Sequence, residues 1–126
     1  MRETVVGLSL LFVGCVPKPV ATLDQPFALG IGEPMRVDAL TVTIGEVLED
    51  SRCPTHAQCV WEGRTRLALT VSTRQQTTEG EVALPGDAFT TQGYVVHLTD
   101  VAPAPSVEPP APHAYRATLV VRQADK

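Results

Sequence analysis

Alternation between apolar and polar side chains is the dominant pattern of the chain after its first 26 residues. Apolar residues recur at every second position in successive runs, starting at Phe27, Leu40, Leu67, Val82, Tyr94 and Tyr115. Turn-forming residues such as Gly32-Glu33-Pro34 separate these runs. Because successive side chains of a strand point to opposite faces, this pattern is typical of strands with one buried face. The sequence predicts about seven short strands.

The remaining features of the composition favour the same fold class. No window carries an apolar stripe at helical spacing over three turns, and 11 prolines are scattered along the chain. Only 5% of residues are aromatic, so the core must be built mainly from Val, Leu, Ile and Ala. We therefore expect an all-β fold, a small antiparallel β-sandwich with an immunoglobulin-like topology, and a small β-barrel is the alternative. The length of 126 residues fits one such domain.

Proline interrupts the alternation between the last two runs. The segment from Ala102 to Ala114 contains five prolines. Since proline has no backbone N–H to give to a strand ladder, we expect a stiff, extended connection between the last two strands. The alternative is a docking segment for an aromatic groove on another protein.

The N-terminus has the features of an export signal. Nine mainly apolar residues, 5–13, precede Gly14-Cys15. A membrane-spanning helix needs about 20 apolar residues, so this stretch is too short to span a bilayer but has the length of a secretory core. The segment Leu11-Phe12-Val13-Gly14-Cys15 resembles the lipobox of bacterial lipoproteins. An ordinary signal peptide or a buried first strand is the alternative.

The lipobox resemblance implies a division of the chain and a location. Residues 1–14 would be a lipoprotein signal peptide, residues 15–26 the lipidated Cys15 with a Pro-rich tether, and residues 27–126 the β-sandwich domain. Two or more acyl chains on Cys15 would anchor the protein stably to a membrane. Val16 follows the cysteine instead of Asp, which by the same resemblance indicates the outer membrane if the organism is diderm, and otherwise the cell envelope in general.

The other two cysteines form an even pair once Cys15 is assigned to lipid. Exported compartments are oxidising, so we expect a disulfide between Cys53 and Cys59, closing a loop of seven residues, and no cofactor. The alternative is a copper or zinc site made by Cys53, His56 and Cys59, since thiolates and imidazole are ligands for these metals. That site would need reduced thiols and a fourth ligand, for which the candidates are His97 and His113.

Unusual residues concentrate around this cysteine pair. The chain has Glu49-Asp50-Ser51-Arg52-Cys53-Pro54, then a few residues, then Cys59-Val60-Trp61-Glu62-Gly63. This pattern resembles a segment of uncharacterised bacterial lipoproteins, which supports the fold and the location but supplies no catalytic residues.

A structural interpretation accounts for the segment. Cys59 and Trp61 would lie on one face of a strand, with the indole packed over the disulfide, and Gly63 would permit a bulge. Asp50, Ser51 and Arg52 would bond to one another and to the loop backbone. The alternative is an exposed recognition surface, whose candidate residues are Asp50, Arg52, His56, Trp61 and Glu62.

Charge and motifs narrow the function. The formal net charge is −4 and no stripe of Lys or Arg occurs, so nucleic acid is not expected as a partner. No nucleophile elbow, phosphate loop or His-Glu-x-x-His motif is present, and the carboxylates of Glu49 and Asp50 should diverge on a strand, so we expect no enzyme. The sequence predicts a non-enzymatic envelope lipoprotein that binds or supports another envelope protein. Metal binding and inhibition of a hydrolase by an exposed loop are the alternatives.

Overall fold

The computed structural model describes Gly7 and residues 20–54, 57–60, 63–108 and 110–124. Within these residues the chain forms nine strands and one short 3₁₀ helix, at Pro112–Ala114. The strands are β1 (Val20–Ala21), β2 (Phe27–Gly30), β3 (Pro34–Val37), β4 (Leu40–Asp50), β5 (Thr65–Ser72), β6 (Thr77–Leu84), β7 (Phe89–Thr91), β8 (Tyr94–Ala102) and β9 (Arg116–Gln123).

Two open sheets make up the fold. One has the strand order β1-β3-β4-β5-β6 and the other β2-β9-β8-β7. All strand pairs are antiparallel except β1 with β3. The prediction of an all-β fold, a small sandwich of two mostly antiparallel sheets, is therefore confirmed. The alternative of a closed barrel is wrong.

The core lies between the sheets and follows the sequence alternation. Strand β5 alternates strictly, with Leu67, Leu69 and Val71 at most 1% exposed and their neighbours partly exposed. Strand β9 contributes Ala117, Leu119 and Val121 from the opposite sheet, and Val120 between them is also buried. Branched aliphatic side chains thus fill the interior, as the low aromatic content predicts.

Two long strands change register, and this alters which residues face inward. Strand β4 shifts between Ile44 and Glu46 and again between Val47 and Glu49, and β8 shifts between Leu98 and Asp100. An extra residue in one strand reverses the inward parity beyond it. Val101 is buried for this reason, although it is three residues after Leu98.

The strand connections gather at two opposite ends of the sandwich. At the hairpin end lie the turns at residues 38–39, 73–76 and 92–93. At the loop end lie the long connections at residues 51–64 and 103–115, because Asp50 pairs with Thr65 and Ala102 with Arg116. The Pro-rich segment is such a connection, as predicted.

The folded part extends further toward the N-terminus than the sequence indicates. Val20 and Ala21 pair with β3, Leu23 packs against the core, and the Asp24 N–H donates to the Val121 carbonyl at 2.9 Å. Residues 20–26 therefore belong to the folded domain, although the sequence assigns them to the tether. Of the predicted signal peptide only Gly7 is described, and Cys15 lies outside the described residues. None of the described helical structure is long and apolar enough to cross a membrane.

Candidate functional site

An ion pair between Asp50 and Arg52 is the centre of the loop end. Asp50 is the last residue of β4 and Arg52 is in the connection that follows. The Arg52 Nε and Nη2 atoms donate to the two carboxylate oxygens of Asp50 at 2.7 and 2.9 Å. The side chains are only 17% and 15% exposed. This bidentate geometry is the strongest form of the interaction between arginine and a carboxylate.

Arg52 also connects the two sheets. Its Nη1 donates to the carbonyl of Val101 at 3.0 Å, and its Nη2 donates to the carbonyl of Pro103 at 3.1 Å. Tyr115, which precedes β9, donates its hydroxyl to Asp50 Oδ2 at 2.8 Å. Asp50 and Arg52 come from the β4 side of the sandwich. Val101 is in β8 of the other sheet, and Pro103 and Tyr115 are in the connection from β8 to β9. The cluster therefore fastens one sheet to the other at the loop end.

The protonation states at this cluster are fixed by the same contacts. The Arg52 hydrogen bonds lower the pKa of Asp50, against the opposing effect of burial, and the Tyr115 hydroxyl lowers it further. Burial and the hydrogen bond to Asp50 raise the pKa of Tyr115. Asp50 is thus charged and Tyr115 protonated at neutral pH, which suits a structural contact better than proton transfer.

Glu49 takes part in a separate network, as expected for adjacent residues of a strand. It accepts hydrogen bonds from the Ser51 hydroxyl at 2.9 Å, from Arg64 Nε at 3.2 Å and from Arg66 Nε at 3.1 Å. These contacts, with the Ser51 hydrogen bond the largest, lower the pKa of Glu49. The carboxylates of Glu49 and Asp50 therefore have separate sets of partners, as the predicted divergence requires.

The two arms of the connection between β4 and β5 are joined near its base. The Ser51 N–H donates to the Arg64 carbonyl at 2.9 Å, and the Ser51 hydroxyl accepts from the Arg64 N–H at 3.1 Å. A Cβ atom at Gly63 would overlap the Ser51 carbonyl and approach Arg52 Cα. Gly63 lies outside the strands, so the predicted bulge there is wrong. The glycine permits a close approach of two backbone segments, whereas the register shifts are in β4 and β8.

Cys53 and Cys59 form a disulfide, as predicted, with their Cα atoms 5.9 Å apart. The sequence predicts that Cys59 and Trp61 lie on one face of a strand. Cys59 is not in a strand, because β5 begins only at Thr65, so this prediction is wrong for Cys59. The disulfide closes a loop between strands and does not join the two sheets. It differs in this respect from the disulfide of an immunoglobulin core.

The structure describes only some of the candidate metal ligands and candidate recognition residues. Asp50 and Arg52 of the recognition set are brought together, whereas His56, Trp61 and Glu62 lie outside the described residues. Both sulfurs of the metal alternative are joined in the disulfide. No group of three or more His, Cys, Asp or Glu side chains within the described ranges is placed to hold a metal ion.

Tyr115 is the residue of this cluster that sequence reasoning missed. The alternation indicates only that Tyr115 shares the apolar face of the last run. A buried tyrosine usually needs a partner for its hydroxyl, and that requirement could have indicated a carboxylate nearby. Nothing in the sequence indicated which one, since Asp50 is 65 residues away.

Val60 is an exposed apolar residue at this end of the sandwich. It directly follows Cys59, and it is 99% exposed.

The chain matches no protein-family model, no curated protein and no solved structure. The geometry of the loop end is therefore the basis for the functional argument.

Proposed function

We propose that the protein is a lipid-anchored, non-enzymatic module of the cell envelope that binds another envelope protein through the connection between β4 and β5. The lipobox resemblance at Cys15 supports the anchor and the location. The observation that carries the proposed contact is the fully exposed Val60 beside a disulfide. An apolar side chain held outside the domain gains free energy when a partner removes it from water.

The base of this connection is held in one geometry before any partner arrives. Ser51 and Arg64 join its two arms, Arg52 ties it to the opposite sheet, and the disulfide closes its centre. Ordering a flexible segment during binding costs conformational entropy, and the contacts already made at this base avoid part of that cost. An ordered base together with an exposed apolar side chain favours a binding role.

The chemistry of the loop end supports a non-enzymatic role. The ionised carboxylate of Asp50 is paired with Arg52 and accepts from Tyr115. A general base must reach the proton it removes, and this carboxylate is already occupied by two donors of the protein itself.

Site-specific photocrosslinking tests the proposal. A photoreactive amino acid replaces Val60 in the full chain, expressed in its own host and illuminated in intact membranes. Val107 is the matched control, because it is also an exposed valine of the loop end, at 84%. We expect one adduct of defined mass from position 60 and none from position 107.

The disulfide provides a second comparison within the same experiment. Replacing both Cys53 and Cys59 by Ser should lower the yield of the adduct from position 60, because the loop loses its preorganised form. Identical adducts from positions 60 and 107, or no adduct from either, would contradict the proposed contact.

The two alternative functions, hydrolase inhibition and metal binding, predict different results for the same residues. A hydrolase inhibitor would also present Val60, and the partner recovered in the adduct would then be a hydrolase. A copper or zinc site would need Cys53 and Cys59 as thiolates, and their disulfide favours the binding module over the metal site.

A further inference from the structure

A groove of about 890 Å³ lies at the hairpin end, opposite the proposed contact loop. We call it the hairpin-end groove. Its lining comes from β3, from the adjoining ends of β4 and β5, from the β3–β4 and β5–β6 turns, and from β8 with the turn before it, so both sheets contribute. Its volume falls in the range of small-molecule sites.

Polar contacts between the turns hold the walls of the groove. The Gln92 amide donates to Thr78 Oγ1 at 3.2 Å and accepts from the Thr73 hydroxyl at 2.6 Å. The Tyr94 hydroxyl donates to the Asp38 carboxylate. Gln92 and Tyr94 are in the β7–β8 turn and in β8. Their partners are in β6 and in turns of the other sheet, so these bonds cross the sandwich and order the groove in advance.

The groove is lined by two arginines that form no ion pair with the described residues. The described ranges contain seven arginines, and five of these form an ion pair with a carboxylate: Arg52, Arg64, Arg66, Arg116 and Arg122. The other two, Arg36 and Arg74, both line the groove. The one carboxylate of the lining, Asp38, is already bonded to Tyr94. The groove thus offers two guanidinium groups to an anion, in a chain of net charge −4.

Backbone hydrogen bonds order the chain at Arg36 and around Arg74. Arg36 is inside β3, paired with Thr41 of β4. Arg74 is in a turn where the Thr73 hydroxyl accepts from the N–H groups of Gln75 and Gln76 at 3.2 and 3.3 Å. Only the side chains of the two arginines need to become ordered when an anion binds, which limits the entropy cost.

Neutral polar groups complete the lining. Thr41 and Ser72 are opposite each other in the β4–β5 register, and Gln75 is in the next turn. Their side chains form no hydrogen bond within the described part of the chain, so they remain available to a ligand. Hydroxyl and amide groups of this kind pair with the hydroxyl groups of a sugar, whereas guanidinium groups pair with a carboxylate.

We propose that the hairpin-end groove binds an acidic carbohydrate, with its carboxylate at Arg36 and Arg74 and its hydroxyl groups at Thr41, Ser72 and Gln75. This site lies at the opposite end of the sandwich from Val60. It is therefore independent of the proposed protein contact, and either proposal can fail without the other.

Calorimetric titration of the full-length, detergent-solubilised protein tests the site with three probes. Glucuronic acid carries both the carboxylate and the sugar hydroxyls, glucose lacks the carboxylate, and inorganic phosphate lacks the sugar. We expect saturable binding of glucuronic acid, with glucose and phosphate each at least about tenfold weaker, because each loses one set of partners. Absence of glucuronic acid binding, or equal binding of glucose, would overturn the proposal. Equal binding of phosphate would reduce the groove to a simple anion site and overturn the carbohydrate assignment.

Three arginine variants distinguish the groove from the general surface charge. Arg36→Gln and Arg74→Gln should each weaken glucuronic acid binding about tenfold. Arg122→Gln is the control, since Arg122 is an exposed arginine paired with Asp24 outside the groove lining, and it should leave binding unchanged. Equal losses in all three would contradict the site. Circular dichroism of each variant confirms that the fold is kept.

Discussion

At the scale of single residues, Arg52 links the two sides of the sandwich at the loop end. Its guanidinium group bonds a carboxylate on one side of the sandwich and two backbone carbonyls on the other. Interaction of Asp50 with Arg52 could be expected from the sequence, because the residues are two apart. The carbonyls of Val101 and Pro103 could not, since backbone acceptors about 50 residues away leave no pattern in the side chains.

Arg52→Ala should lower the free energy of unfolding by about 2 kcal/mol, because Asp50 and two carbonyls lose charged hydrogen bonds in a half-buried position. Arg116→Ala is the matched control. Its ion pair with Glu33 is 3.9 Å long and both side chains are more than half exposed, so its loss should cost under about 0.5 kcal/mol. Urea denaturation measures both values, and equal destabilisation would contradict the role given to Arg52.

The lowered pKa of Asp50 predicts a dependence of stability on acid pH. A carboxyl whose pKa is lower in the folded state stabilises the fold above its ordinary value and loses that contribution as pH falls through the folded-state pKa. Thermal midpoints should therefore fall below about pH 4. Asp50→Asn should be less stable at pH 7 and show a shallower decline in acid. Glu49, whose pKa is also lowered, leaves part of the decline in place.

Asp87→Asn is the control for this experiment, because Asp87 is exposed and its carboxylate has no ion pair among the described residues. Its melting curves should follow those of the unmodified protein across the pH range. An Asp50→Asn protein with an unchanged acid decline would show that the carboxyl does not contribute as described.

At the scale of elements, period-two alternation predicted the long strands and their inward faces. Leu40, Val42 and Ile44 of β4 are fully buried, as that pattern requires. It missed the short strands β1, β3 and β7, because two to four residues give too little alternation to recognise. Register shifts were also missed, since a bulge depends on the partner strand as well as on its own sequence.

Substitution of Gly63 tests whether the connection between β4 and β5 needs the close approach of Gly63 to the backbone of Ser51. Gly63→Ala should destabilise the protein by about 2 kcal/mol or more, because the added methyl group overlaps the Ser51 carbonyl. Gly45→Ala is the control, since the nearest atom there is the Ala68 carbonyl oxygen at 3.8 Å, and its effect should stay below about 1 kcal/mol. Thermal unfolding compares the two. A tolerated alanine at Gly63 would mean that the two arms are further apart than described.

At the scale of the whole molecule, the two ends of the sandwich have different proposed roles. The loop end presents Val60 beside the disulfide, and the hairpin end presents a groove lined by two arginines that form no ion pair with the described residues. Since Val20 already pairs with β3, the proposed lipid on Cys15 would be separated from the domain by only residues 16–19. An extended chain of that length spans about 17 Å, so the anchored domain would stay close to the membrane surface.

Intact mass spectrometry of the protein extracted from membranes tests the central claim, a lipoprotein with one internal disulfide. We expect the mass of a chain that begins at Cys15 with an added diacylglyceryl group, with or without a further acyl chain. Alkylation should add two groups, at Cys53 and Cys59, only after reduction. An unacylated chain that begins elsewhere, or thiols that are alkylated without reduction, would contradict the account.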